Sequence, residues 1–250
     1  MTETLTTDLS LSKTDTPINA APTAVHVSGL PVAAPLTLTE PRWPAFSAAA
    51  FLVSVPVFFQ APLVRLWPTL SLMLGCVLLV VGCQLMRNPS RQLWGDLTVG
   101  FSWTWLAGTL YWGWFRWEPL IHLPMEALGL PIVAVLLYRN RAKVGSYFYL
   151  GSLFGTVVTD LYFYWTGLIP YWRQLMLMDP TQAGSVLQSA YLTLQNFDAV
   201  LKGSILLSLL IIVGSLPLVR SKTHWWAFSG AVLSTILVDA LFLLSAVFAH

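Results

Sequence analysis

The sequence predicts an all-α, polytopic membrane bundle of about seven transmembrane helices plus one amphipathic surface helix. Three observations carry that expectation. Only 10% of the 250 residues are charged and 56% are hydrophobic, whereas a soluble domain spends about a quarter of its residues on charge. Uncharged apolar runs recur roughly every 25 residues, each long enough to cross a ~30 Å hydrocarbon core as a helix. Those runs are continuous and do not alternate, which argues against a β-barrel. A net charge of +2 gives no basis for a nucleic-acid partner; the partner implied is the lipid bilayer.

Residues 1–44 are rich in Thr, Ser, Pro and Ala and carry no long apolar run, so they read as a disordered cytoplasmic tail and not as a secretory signal. Residues 45–250 form a single transmembrane helical domain. Its first span, 45–66, holds Pro56 and Pro62, which neighbouring helices must accommodate. The second, 68–86, is Leu/Val-rich and contains Cys76 and Cys83. Seven residues apart on one helix, the two thiols lie roughly 10 Å apart along the axis, too far for a disulfide.

The third span, 93–115, is crowded with rings and glycines. At 100° per residue, Asp96, Trp103 and Trp114 share one face and Trp94, Trp105 and Trp112 the other, as on a helix packed on several sides. The fourth, 120–138, is interrupted by Pro124 and Pro131; the fifth is 145–168. An extramembrane stretch follows, in which Asp179-Pro180 starts an amphipathic helix over about 180–201. It feeds the sixth span, 203–219, and the seventh covers 225–249.

With seven spans, alternate loops face opposite sides. One side collects Lys13, Arg42, Arg87, Arg91, Arg139, Arg141, Lys143, Arg220 and Lys222; the other collects Arg65, Arg116, Arg173 and Lys202. The positive-inside rule then places the N-terminus in the cytoplasm.

Four acids fall inside spans. Asp96 is about one turn from the cytoplasmic end, within reach of headgroups or Arg91. Asp160 and Asp239 sit roughly 21 to 23 Å from the inner boundary at 1.5 Å per residue, and Glu126 reaches nearly the same depth from the other side. His122 lies one turn above Glu126, with the Arg116/Glu118 pair above that. Charges at that depth cost at least a few kcal/mol each, so such groups face protein, pair, or stay neutral. Two interpretations stay open: three neutral acids bonded to neighbouring helices, with Thr156 and Thr235 one turn before Asp160 and Asp239 as partners, or a shared proton, cation or ligand site built from Glu126, Asp160, Asp239, Arg116, Glu118 and His122.

Trp103, Trp114, Tyr162, Tyr164 and Trp165 are candidates for a ring-lined cleft able to take a quinone, carotenoid or chlorophyll; as packing and interface anchors they need no ligand. His122 and Glu126, at i and i+4, make at most half a metal site, and the sequence names no metal or cofactor. Val158-Thr159-Asp160 and Leu237-Val238-Asp239 lack the Tyr-Asp and Gly-x-Gly-Asp patterns of intramembrane aspartyl proteases. The last span has no lysine for a retinal Schiff base. With four histidines in all, of which only His122 lies within a span, a multi-histidine iron or bis-histidine haem site does not fit. The chain leans away from an enzyme.

The runs Phe51-Leu-Val-Ser-Val-Pro-Val-Phe-Phe-Gln-Ala-Pro-Leu-Val-Arg65, Leu93-Trp-Gly-Asp96 through Trp117-Glu118-Pro119, and Thr159-Asp160-Leu-Tyr-Phe-Tyr164 resemble an uncharacterised cyanobacterial integral-membrane family, a domain of unknown function, over about residues 43–220. The resemblance implies a cyanobacterial thylakoid or plasma membrane and brings no functional residues. In that setting two functions are expected. One is an auxiliary or assembly factor that binds a hydrophobic cofactor or partner helices, with a pigment–protein complex as partner. The alternative to it is a small proton- or cation-coupled transporter using the acidic cluster.

Overall fold

Helix follows helix through the computed structural model, which describes residues 41–247 and contains no strand among them. The tail expected at 1–44 lies outside the described residues up to residue 40; residues 42–44 already belong to the first helix. In chain order the helices are α1 (Arg42–Leu66), α2 (Pro68–Leu85), α3 (Gln92–Trp114), α4 (His122–Glu126), α5 (Leu130–Tyr138), α6 (Lys143–Trp165), α7 (Ile169–Leu177), α8 (Ala183–Leu194), α9 (Phe197–Ser215) and α10 (Thr223–Val247). Short 3₁₀ turns at Pro119–Ile121 and Ala127–Gly129 flank α4, so the fourth apolar run is a helical stretch broken into short pieces, the last of them α5 with Pro131 in its first turn.

Five helical stretches among the described residues are long and apolar enough to cross a membrane: Arg42–Leu66, Pro68–Leu85, Pro119–Tyr138, Phe197–Val219 and Thr223–Leu244. The sequence expects seven. The two that differ are α3 and α6, long enough at 23 residues each but more polar and glycine-rich. Burial accounts for their composition. α3 buries twelve residues, while α1 buries four of its 25. A helix covered by protein has less need of an apolar coat than one facing acyl chains.

α3 packs against α2, α1 and α6, and α10 packs against α1, α6 and α9. The core lies where α1, α3, α6 and α10 meet, around Ala45, Ala49, Leu97, Phe101, Trp105, Phe148, Ala227 and Ala231. A second cluster, Val158, Leu206, Leu210 and Val232, joins α6, α9 and α10. Backbones come closest between α3 and α6. A Cβ on Gly100 would collide with the carbonyl of Gly145, and one on Gly145 with the carbonyl of Asp96. Such small-residue crossings replace the hydrophobic drive that lipid does not supply.

The stretch after α6 departs from expectation. Thr166 and Gly167, the latter at φ +72°, end the helix, and the unexpected α7 follows. The amphipathic segment expected over 180–201 splits at Asn196. Its side chain accepts the N–H of Ala199 at 2.8 Å and starts a new helix there, six residues before the expected sixth span. The apolar spacing continued across this boundary because positions 197 and 201 belong to α9, and periodicity alone does not register a cap. Asp179 accepts the N–H of Thr181 at 2.9 Å, and that bond holds its carboxyl below the usual range.

Candidate functional site

The site forms where the C-terminal ends of α3 and α6 meet α4 and α7. His122 opens α4, immediately after a 3₁₀ turn that begins at Pro119 and is capped by Glu118, whose Oε1 accepts the N–H of Leu120 at 3.3 Å. That turn aims the imidazole at α6. Its Nδ1 lies 2.9 Å and 3.0 Å from the two carboxylate oxygens of Asp160, which is 3% exposed. Against an ionised Asp160 the Nδ1 carries the hydrogen and donates it. This leaves Nε2 facing Glu126, 4.0 Å from its Oε1 and one helical turn along the same element. One ring nitrogen is held and the other points at a second carboxyl.

Asp239 of α10 adjoins the group through the residue before Asp160. Thr159 Oγ1 donates to the Asp239 carboxylate at 3.0 Å and 3.2 Å. The expected partners behave differently: Thr156 and Thr235 return their hydroxyls to carbonyls of their own helices, Ser152 and Ala231, each at 3.3 Å. Back-bonding to the i−4 carbonyl is the local competitor that took them.

Glu118 pairs with Arg173 of α7 at 2.8 Å rather than with Arg116, and the Arg173 guanidinium holds its carboxyl below the usual range. Arg116 instead approaches the carbonyl of Trp112 at 3.4 Å, and its Nε is buried with no hydrogen-bond partner. Asp96 forms no ion pair with Arg91 among the described residues. It accepts the backbone N–H groups of Val144 and Gly145 at 2.8 Å and 2.9 Å, capping α6 from another helix.

Rings enclose the histidine. Its centroid lies 4.3 Å from Tyr111, 5.4 Å from Trp172 and 5.9 Å from Trp112. Trp112 and Trp172 stack at 5.8 Å with their planes 7° apart, and Phe163 meets Trp172 edge-on. The five rings assigned to a cleft are not these. Trp103, Trp114, Tyr162, Tyr164 and Trp165 make no ring contact with one another, and Trp114, Tyr164 and Trp165 are exposed. Sequence reasoning passed over Trp172 because it follows Pro170 in a stretch assigned outside the membrane, and over Tyr111 because it stands in a run crowded with tryptophans.

A further polar chain runs inward. Gln60 of α1 donates to the carbonyl of Trp105 at 2.8 Å and to Thr109 at 3.1 Å, and Thr109 meets Ser71 at 2.8 Å. Gln60 and Glu126 Oε1 both border Gly108, and Tyr149 donates to the Glu126 carbonyl at 2.6 Å. An uncharged Gln in an apolar run with two prolines was the signal for this chain. Among the described residues no group of three or more His, Cys, Asp or Glu is placed to hold a metal ion.

The family model described as "Protein of unknown function (DUF3120)" matches residues 49–247. The chain belongs to the DUF3120 family. No curated protein and no solved structure matches it. The match spans the candidate site, from Gln60 to Asp239; it begins at 49, inside the 43–220 of the sequence resemblance, and extends past its end to 247.

Proposed function

We propose that this DUF3120 protein is a small proton-coupled membrane carrier in which His122, Asp160 and Glu126 bind the coupling proton. The observation that carries the reading is the His122–Asp160 contact at 2.9 Å with Glu126 4.0 Å from the other ring nitrogen. Histidine is the side chain whose ordinary titration falls near neutral pH, and ionisable groups inside membrane bundles mark ion and proton pathways. Asp239, joined through Thr159, supplies a third carboxyl on another helix. The reading takes α3 and α6 as spans, making seven, and places the N-terminus in the cytoplasm by the basic-residue asymmetry. The sequence resemblance supports a cyanobacterial thylakoid or plasma membrane.

The test is a solute panel in proteoliposomes under an imposed pH gradient, together with infrared difference spectra across a pH jump. The wild type is expected to show gradient-driven uptake of at least one solute and a pH-dependent carboxyl band, both lost in Asp160→Asn. Absence of both in the wild type overturns the reading.

A second reading draws on the exposure of Trp114, Tyr164 and Trp165 at 37%, 38% and 48%. Large rings open to the surroundings suit an auxiliary or assembly factor that meets a hydrophobic cofactor or the helices of a pigment–protein complex. Purification in mild detergent tests it: bound pigment or a co-purifying complex supports it, and a colourless, partnerless protein opposes it.

A further inference from the structure

We propose that α7 is a lid on the His122–Asp160 pair, hinged at Gly167 and latched by Arg173 to Glu118. This deepens the carrier reading, on which it rests for its purpose, by naming the door to the site.

Four observations point to it. Trp172, 9% exposed, lies across His122 at 5.4 Å and stacks on Trp112, so the α7 ring stands among those covering the imidazole. Its Nε1 donates to the carbonyl of Arg116 at 3.1 Å, which fixes the ring over the α3–α4 connection. The next residue, Arg173, closes the ion pair with Glu118 at 2.8 Å, with the two side chains 43% and 34% exposed. Gly167, at φ +72° with nothing within 4 Å of where a Cβ would stand, is an open left-handed joint between α6 and α7.

The strengths of these contacts suit a part that moves. An exposed ion pair contributes little to stability, and a nine-residue helix has marginal stability by itself. The Tyr171–Thr193 hydrogen bond at 3.0 Å keeps α7 attached to α8, so the helix pivots and does not detach. Below the lid, the Asp160 and Glu126 carboxyls stand one contact from the imidazole, and opening exposes all three at the same end of the bundle. The charged and titratable groups around the lid include Glu118, Arg116, Arg173, Tyr111, Tyr164 and Tyr171.

The test is chemical access to His122 in the full chain, held in lipid nanodiscs. Diethyl pyrocarbonate modification is followed by mass spectrometry, with His224, which packs on Tyr147 at the opposite end of α6, as internal reference. Arg173→Gln and Glu118→Gln are each expected to speed His122 modification about two- to fivefold, the size an exposed ion pair supplies. The charge swap Glu118→Arg with Arg173→Glu is expected to restore the slow rate. In the wild type, the amides of 173–177 are expected to exchange hydrogen faster than those of the α6 interior and as one unit. Unchanged His122 rates in both latch variants, or α7 amides as slow as those of α6, overturn the lid. A moving lid without gradient-driven uptake leaves the lid standing and sinks the carrier, whereas uptake with an immobile α7 does the reverse.

Discussion

Asp96 stands on α3 yet serves α6: its carboxylate accepts the N–H of Gly145 at 2.9 Å, at the point where the two backbones pass too closely for a Cβ. The first N–H groups of a helix have no partner within it, and here a neighbouring helix supplies one for Val144 and Gly145. The acid is therefore a fastener of the bundle, apart from the cluster at the other end.

Removing it should loosen that joint. Asp96→Ala is expected to lower stability by about 1–2 kcal/mol, the usual worth of an N-cap, and Asp96→Asn by less, since one acceptor oxygen remains. Unfolding titrations in mixed micelles read both, and equal stability of the Ala variant would remove the capping role.

The turn just before α6 offers the opposite change. Ala142 sits at φ 48°, a left-handed conformation that costs a non-glycine residue roughly 1–2 kcal/mol. Ala142→Gly is expected to raise stability by about 0.5–1 kcal/mol after the entropy of the more flexible unfolded chain is counted. A fall in the unfolding midpoint would contradict this.

The buried pair should behave as a unit. Taking away either partner alone leaves the other buried without its contact, at a cost of about 3–5 kcal/mol. His122→Ala combined with Asp160→Asn is then expected to cost less than the two single changes together, by about 1–3 kcal/mol. Additive losses would mean that the two side chains are independent despite their 2.9 Å contact.

The latch carries a pH dependence whose direction follows from Glu118. Arg173 lowers its pKa in the folded protein, so the ion pair contributes above the ordinary glutamate range of about 4.3. Its contribution is lost as pH falls through the lowered value. Hydrogen exchange at 173–177, corrected for its intrinsic pH dependence, is expected to accelerate below that range. Glu118→Gln should be fast throughout and show no such step.

Much of the bundle was legible because lipid imposes long, continuous apolar runs: the bounds of α2 and α3 fall within one residue of those expected. Helical rise and assumed span boundaries group Glu126 with Asp160; in the structure each carboxyl stands beside a nitrogen of the His122 ring. What stayed hidden was set by side-chain geometry that spacing does not encode. Asn196 accepts a backbone N–H and cuts one apparent helix in two. Thr159, rather than Thr156 or Thr235, turns toward an acid because of where α10 crosses α6. Arg116 and Glu118 look like a pair two residues apart, but α7 brings Arg173 in from 55 positions away.

Thr159 and Asp160 are consecutive, so their bonds to α10 and α4 leave α6 on faces about 100° apart. The helix is thereby keyed on two sides, like a shaft held by two pins. Sliding along its axis or rolling about it strains both pins together. Torsion of this single helix is the motion by which the surroundings of Asp239 and of His122 would register each other.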